Sequence, residues 1–476
     1  MTVTPALPTG VQATPATAAR ALPVLLLGNF LAVLDFFVVN VALPSIGTSF
    51  GASSSGLALV VAGYGVGYAC TLIAGGRLGD LYGRRRLFVL GVAAFTVTSA
   101  LCGAAPTMTA LVLARVLQGV AAGLMVPQVL AVIQASFHGS ARERALGLFG
   151  AMLGTATVAG QLVGGAIVEL DLLGLGWRPI FLVNVPLGIV GVVAALKLVP
   201  DSRPPAAATI DATGTALLAA SVSLLLVPLA LGREEGWPLW CVASIALAPL
   251  VAAAFVWTQA RRERTGHAPL LPLALLRYEA TRRGLLAGLA MFTAAGGFFL
   301  TTALTLQGGR GLSPIESGLT MLPLALAFLA VSLAAAPLAH RLGGRRSIVL
   351  GGAIMSIGFL LQALTAVLAY DDLGPVWLAV PMAVTGVGQG LVVVRLVNVV
   401  LSAIPAAVAG AASGVLTTTI QLSLATGAAV IGSTFAAIAA DVSWRAATVS
   451  ALVIEAALAA VTAVAASRLP ERLATS

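Results

Sequence analysis

The 476-residue sequence predicts an all-α integral membrane protein, two bundles of six transmembrane helices with two further helices inserted between them. Three observations carry this prediction. Apolar residues make up 59% of the chain and charged residues 9%, with a mean hydropathy of +1.03. A soluble domain carries roughly 25% charge and needs it to cover its surface. Second, the apolar residues fall into runs long enough to cross a bilayer. Third, a basic, glycine-containing turn occurs twice, once in each half.

A hydrocarbon core of about 30 Å takes some 20 helical residues at 1.5 Å each. Fourteen such stretches lie near 22–44, 56–76, 87–105, 109–133, 145–168, 179–199, 212–231, 238–257, 284–306, 315–337, 347–369, 377–400, 410–437 and 444–466. The first is too long for the apolar region of a signal peptide, has no strongly basic stretch before it, and follows a Thr/Pro/Ala-rich tail. It is therefore read as a retained helix. The predicted organisation is a disordered tail over 1–21, a first bundle over 22–199, an inserted pair with its loop over 200–283, a second bundle over 284–466, and a tail over 467–476.

The charge of +9 would suggest a nucleic-acid binder in a soluble protein, but position gives it another meaning. With the N-terminus inside, the inner segments hold Arg20; Arg77, Arg84, Arg85 and Arg86; Arg142 and Arg144; Lys197 and Arg203; Arg261, Arg262, Arg264, Arg277, Arg282 and Arg283; Arg341, Arg345 and Arg346; and Arg468 and Arg472. The outer segments hold only Arg178, Arg233, Arg310 and Arg445. Twenty against four is the bias of the positive-inside rule, so both termini are expected in the cytoplasm and no nucleic-acid partner is expected.

The chain reads Gly76-Arg77-Leu78-Gly79-Asp80-Leu81-Tyr82-Gly83-Arg84-Arg85-Arg86 after helix 2. After helix 10 it reads Ala336-Pro337-Leu338-Ala339-His340-Arg341-Leu342-Gly343-Gly344-Arg345-Arg346. Gln118-Gly119 in helix 4 is echoed by Gln389-Gly390 in helix 12. Both echoes lie at a similar offset, which indicates a duplication of the kind found in transporters.

Four segments carry a resemblance to the major facilitator superfamily, and within it to the fourteen-helix drug:proton antiporter branch. Leu34-Asp35-Phe36-Phe37-Val38-Val39-Asn40-Val41-Ala42-Leu43-Pro44 resembles that branch's first-helix motif, and Gly76 through Arg85 the superfamily's loop motif. Leu113-Ala114-Arg115-Val116-Leu117-Gln118-Gly119 resembles the fourth-helix arginine motif. Gly160-Gln161-Leu162-Val163-Gly164-Gly165 resembles the fifth-helix antiporter motif, and Trp177-Arg178 with Phe181-Leu182-Val183-Asn184-Val185-Pro186 follows it. Leu81, Gln161 and Leu59 stand where those patterns usually have arginine, proline and tryptophan.

The resemblance implies a proton-coupled exporter of amphipathic, cationic or zwitterionic drugs or antibiotics in the inner or plasma membrane of a bacterial cell. It would be driven by the proton gradient without a cofactor, surrounded by lipid, and expected to act as a monomer. Export of a single endogenous metabolite or antibiotic is the alternative. A sensor that transports nothing is the remote one.

The chemistry can be argued from the charged residues themselves. A charge at mid-bilayer costs about 2.5–3.5 kcal/mol on insertion scales, so it faces a cavity or a partner. Four strongly charged residues sit deep in the predicted helices: Asp35, Arg115, Arg395 and Glu455. Asp35 and Arg115 lie nine and six residues from the outer ends of helices 1 and 4, at similar depth. Burial favours a neutral carboxyl and an approaching cation favours a charged one, so a proton and a cationic substrate would compete for Asp35. A static salt bridge joining two helices is the other role open to it. Arg115 would hold polar groups on a proton route or serve structure alone. Arg395 would snorkel to the inner interface or meet an anionic substrate group. Glu455 would pair with a polar neighbour or carry a proton.

Asn40, Gln118, Gln161, Asn398 and Gln421 are further polar candidates for a cavity wall. The resemblance implies a cytoplasmic gating role for Asp80, Arg84 and Arg85 in the segment that begins at Gly76, on a turn that uses Gly79 and Gly83. A bridge present in one conformation only would bias inward- against outward-facing states. Gly160, Gly164 and Gly165 among the small residues of helix 5 suit close helix packing, and contact with helix 13 at Gly410-Ala411-Ala412-Ser413-Gly414 would seal one side of the pore.

Enzyme readings lack their parts. The sequence has no HExxH, no phosphate-binding GxxxxGK[ST] and no cysteine pair with zinc spacing, and Gly386-Val387-Gly388-Gln389-Gly390 lies inside an apolar helix. No metal and no catalytic residue is expected.

Overall fold

The computed structural model describes residues 15–52, 54–137, 139–171, 174–200, 211–232, 235–267, 269–402 and 409–469. The expected N-terminal tail before residue 15, most of the loop at 200–210 and the last residues of the C-terminal tail lie outside the described residues, as do the side chains of Gly410 through Gly414 and of the 335–341 stretch.

Fourteen long helices run through the described residues: α1 (Pro15–Phe50), α2 (Ser54–Tyr82), α3 (Arg84–Gly103), α4 (Met108–Ser136), α5 (Gly139–Leu170), α6 (Pro179–Leu198) and α7 (Ala212–Leu231). They continue as α8 (Leu239–Arg264), α9 (Glu279–Gly309), α10 (Pro314–Leu333), α11 (Ala335–Leu368), α12 (Pro375–Ser402), α13 (Ala409–Asp441) and α14 (Trp444–Ser467). Every stretch read from hydropathy is a helix. The helix bounds differ from the sequence reading at the first helix, expected near 22–44. α1 starts at Pro15 and continues through Pro44 to Phe50. The second helix is bent by 47° between Leu59–Leu72 and Ala74–Tyr82.

The ends of the helices are written locally. The Thr107 hydroxyl accepts from Ala110 N–H to start α4, and Ser443 does the same from Ala446 for α14. Ser313 and Glu316 close a reciprocal capping box at α10, with Pro314 in the first turn, where its missing N–H costs nothing. The repeated basic turn has the same backbone in both halves. Gly83 holds φ 100° and Gly343 holds φ 71°, values that side chains disfavour. Helix restarts immediately after each.

Within the first bundle α2 packs on α4, α3 on α4 and α6, and α1 on α5. Within the second, α10 packs on α12, α11 on α12 and α14, and α9 on α13 and α14. The bundles meet along two crossed seams, α5 with α10 and α2 with α13. This corrects the expectation that helix 5 meets helix 13. The first bundle's fifth helix faces the second bundle's second, as a two-fold relation between bundles requires.

Small residues make the α5–α10 seam possible: a Cβ on Gly154 would come within 2.5 Å of the Phe328 ring, and one on Gly318 within 3.4 Å of the Gln161 backbone. Gly160 and Gly164 act on the other side of α5, where their missing side chains let Phe37 and Val38 of α1 approach. α7 covers the α2–α13 seam, with Val222 in contact with the α2 residues around Ala69, and α8 packs outside α7. At the end of the bundles that carries the Gly83 turn, a single apolar cluster contains Val132, Ile133 and Phe137 of the first bundle and Val397, Val400 and Leu416 of the second, so the two bundles touch there. Leucines and valines such as Leu113, Val190, Leu250 and Leu364 are exposed on α4, α6, α8 and α11, as suits membrane-spanning helices.

Candidate functional site

The structure brings Asp35, Arg115 and Gln118 together in the first bundle and adds Asn184. Asp35 on α1 is completely buried. Its Oδ2 accepts from Arg115 Nη1 of α4, and its Oδ1 accepts from Gln118 Nε2 at 2.8 Å and from Asn184 Nδ2 of α6 at 3.0 Å. Arg115 and Gln118 are three residues apart and therefore share one face of α4.

Arg115 has further support that does not depend on Asp35. Its Nε donates to the Val60 carbonyl at 3.1 Å, its Nη1 also donates to Gln118 Oε1 at 2.8 Å, and its guanidinium lies 4.4 Å from the Tyr64 ring centroid. Tyr64 is itself fixed, donating to the Ala32 carbonyl at 3.1 Å. Asn184 Nδ2 also donates to Ser99 Oγ at 3.1 Å, and Asn184 Oδ1 is buried with no hydrogen-bond partner. Five helices, α1, α2, α3, α4 and α6, thus meet at one buried polar cluster whose charges balance. Such a cluster can hold the bundle together, and it can change state when a proton or a cation replaces the guanidinium at Asp35.

A family model described as Major Facilitator Superfamily matches residues 25–428. The chain belongs to the major facilitator superfamily. It is 39% identical over 436 residues to the probable actinorhodin transporter of Streptomyces coelicolor, covering 90% of this chain and 75% of that one. It is 33% identical over 413 residues to a multidrug resistance protein of Mycobacterium tuberculosis, covering 86% and 74%. The crystal structure of the human organic anion transporter MFSD10 superposes with a TM-score of 0.67 at 17% identity, covering 94% of this chain and 99% of that one, which shows the shared fold. The protein is a multi-pass membrane transporter and not an enzyme.

Of the other residues singled out from the sequence, none hydrogen bonds to Asp35. Asn40 is half-buried and donates back to the Phe36 carbonyl of its own helix at 2.9 Å. Gln161 is buried at the α5–α10 seam. Arg395 is buried in α12, with Asn398 half-buried on the same helix and Gln421 half-buried on α13.

Glu455, in the middle of α14, is completely buried. Its Oε1 accepts from Thr301 Oγ1 of α9 at 3.2 Å, and Oε2 has no partner. At the turn between α2 and α3, Asp80 Oδ1 accepts from Arg84 Nη2 at 3.0 Å across Gly83, and Arg84 Nη1 reaches the Ala131 carbonyl of α4 at 3.1 Å. Arg85 donates to the Leu196 carbonyl of α6. Gly76 is buried beside this turn and Gly165 beside the α5 glycines that face α1. The residues missed by role were Asn184, Ser99 and Tyr64. Asn184 had a signal, since it is the one amide side chain in the apolar run 179–196.

Proposed function

We propose that this protein is a proton-coupled exporter of amphipathic cationic or zwitterionic drugs or antibiotics in the bacterial inner membrane, with both termini in the cytoplasm, and that the Asp35–Arg115 pair is where proton and substrate compete. The observation that carries the reading is that Arg115 has partners besides Asp35. If Asp35 takes a proton, the guanidinium retains Val60 O, Gln118 Oε1 and the Tyr64 face. Asn184 Oδ1, an acceptor with no donor, becomes available to the new O–H once its amide turns over. Both charge states of the acid therefore find hydrogen bonds in the same cluster, which a purely structural salt bridge does not need.

The route to the pair is the seam between the bundles. Phe37, two residues along α1 from Asp35, meets Phe299 of α9 edge-on at 4.8 Å. Separation of these rings opens the seam from the outer side, while closure of the cytoplasmic cluster holds the inner side shut. The Asp80–Arg84 bridge and the Gly83 turn stiffen the inner end of the first bundle and bias that exchange. A proton moving down 100 mV supplies about 2.3 kcal/mol per charge, so no nucleotide or cofactor is required.

The test uses ethidium, a planar amphipathic cation, in proteoliposomes with an imposed pH gradient. The wild type drives ethidium against its gradient and the protonophore-treated sample does not. D35N retains ethidium exchange down its gradient and loses the pH-driven component. Ethidium movement unaffected by the gradient contradicts the reading. A second reading, export of one antibiotic alone, is favoured by the likeness to the probable actinorhodin transporter. A resistance panel of unrelated compounds separates the two: one protected compound supports the narrow exporter, several the broad one.

A further inference from the structure

Four of the five helices at the first bundle's polar cluster, α1, α3, α4 and α6, supply the side chains that hydrogen-bond one another there. The counterpart helices of the second bundle, α9, α11, α12 and α14, also bring polar side chains to one interior point, with different chemistry. Thr301 stands on α9, Gln362 on α11, Thr385 on α12 and Glu455 on α14. Gln362 Nε2 donates to Thr385 Oγ1 at 2.8 Å, and Thr301 Oγ1 donates to Glu455 Oε1. The acid is present and the guanidinium is not: no cation pairs with Glu455 among the described residues, and Oε2 is buried with no partner at all.

Beside the acid lies a cavity of about 20 Å³, lined by Thr301, Thr305, Gln362, Thr448 and Leu452, enough for a single water. Thr305 and Thr448 hydroxyls are 2.9 Å apart, one helical turn outward from Thr301 and two from Glu455. Here α9 ends in a π-helical turn, Leu304–Gly309, a departure from regular helix common at functional sites. Outward again are Tyr370, whose phenol burial pushes up, and an exposed rim where Asp371 meets Arg310 and Arg445. The hydroxyls thus form a discontinuous line from the outer face to Glu455.

We infer that Glu455 is a second proton-carrying site, loaded from the outer face along Thr448, Thr305 and Thr301, and that the two bundles each carry one acid. The inference rests on the proton-coupled reading above for the use made of the proton. A lone carboxylate with an empty lone-pair face cannot be held at this depth, whereas a protonated acid bonded to Thr301, itself on the wall of a one-water cavity that Thr305 and Thr448 also line, can. The titratable residues of the helices packed on α14 lie at their ends: Glu279, Arg282 and Arg283 on α9, His340, Arg341, Arg345 and Arg346 on α11, and Asp441 on α13. Arg445 begins α14 itself, so the proton on Glu455 answers to the hydroxyl line.

The probe is dicyclohexylcarbodiimide, which adds a protonated carboxyl across its C=N bond without another reactant. The full chain in lipid nanodiscs is labelled between pH 5 and 10 and its peptides are weighed. Glu455 is expected to label at neutral pH and to lose labelling as pH rises, and T301V, which removes the donor to Oε1, displaces the midpoint. T448V is expected to slow labelling severalfold. E455Q is expected to halve the protons released per ethidium bound; if it does not fold, the threonine variants carry the test.

No labelling of Glu455 at any pH, labelling independent of pH, or a midpoint unmoved in T301V each overturns the inference. Labelling needs no substrate, so loss of ethidium coupling refutes the Asp35 reading without touching this one, and an unlabelled Glu455 refutes this one without touching Asp35.

Discussion

Replacing Asp35 by asparagine keeps its volume and removes the charge that Arg115 faces. Taking one partner from a buried pair costs about 3–5 kcal/mol. Arg115 keeps Val60 O, Gln118 Oε1 and the Tyr64 ring, so the expected cost is at the lower end, about 3 kcal/mol. The reverse change, Arg115→Met, is expected to cost less, about 2 kcal/mol, because a carboxyl can be neutralised by a proton and a guanidinium cannot lose one. The double variant leaves neither charge stranded and should be about 2–3 kcal/mol more stable than the sum of the singles implies. Cys102 reports the transition, since its thiol is buried and lies 3.5 Å from Gln118 Oε1 within the cluster. In a background with Cys70 and Cys241 replaced by alanine, thiol labelling across a detergent-denaturant series gives all three free energies. Additivity within about 0.5 kcal/mol, or an Arg115→Met cost larger than that of Asp35→Asn, refutes the reasoning.

Other consequences are quickly checked. Gly83→Ala forces a side chain onto φ 100° and should cost about 1–3 kcal/mol, with Gly343→Ala behaving alike because φ is 71° there; unfolding midpoints in detergent measure both. A Cβ on Gly119 would lie 2.1 Å from the Tyr64 carbonyl, so Gly119→Ala must part α2 from α4, and the yield of monodisperse protein should fall sharply. Asp80→Asn breaks a largely buried bridge to Arg84 worth about 1 kcal/mol, and should slow ethidium efflux while leaving ethidium binding intact, as read by flux and by fluorescence titration.

Much of this molecule is legible in the sequence because the bilayer imposes simple constraints. A helix must bury its own backbone hydrogen bonds, so apolar runs of about 20 residues are sufficient to locate all fourteen. The repeat was readable through Gly83 and Gly343, since a positive φ in the same basic turn leaves glycine little choice. The ends of the helices are less legible: hydropathy places the first helix near 22–44, while α1 runs through Pro44 to Phe50, beyond the apolar run. Asp35 and Arg115 could be paired by depth alone. Asn184 could not, because an amide inside an apolar run marks a polar contact without naming its partner. The crossed seams were also hidden. Glycines at Gly160 and Gly164 announce a close approach, but the neighbour that makes it, here Val38 and Phe37 of α1, depends on bundle geometry that no local pattern encodes. The emptiness around Glu455 Oε2 is likewise a property of three dimensions.

The central claim is that one buried carboxyl is occupied alternately by a proton and by cargo. Ethidium added to purified protein in weakly buffered detergent solution tests it most directly, with released protons followed by a pH dye. The account predicts release that saturates with ethidium in the wild type and falls in D35N, together with binding that persists in the variant. Equal proton release from wild type and D35N at the same ethidium occupancy contradicts it.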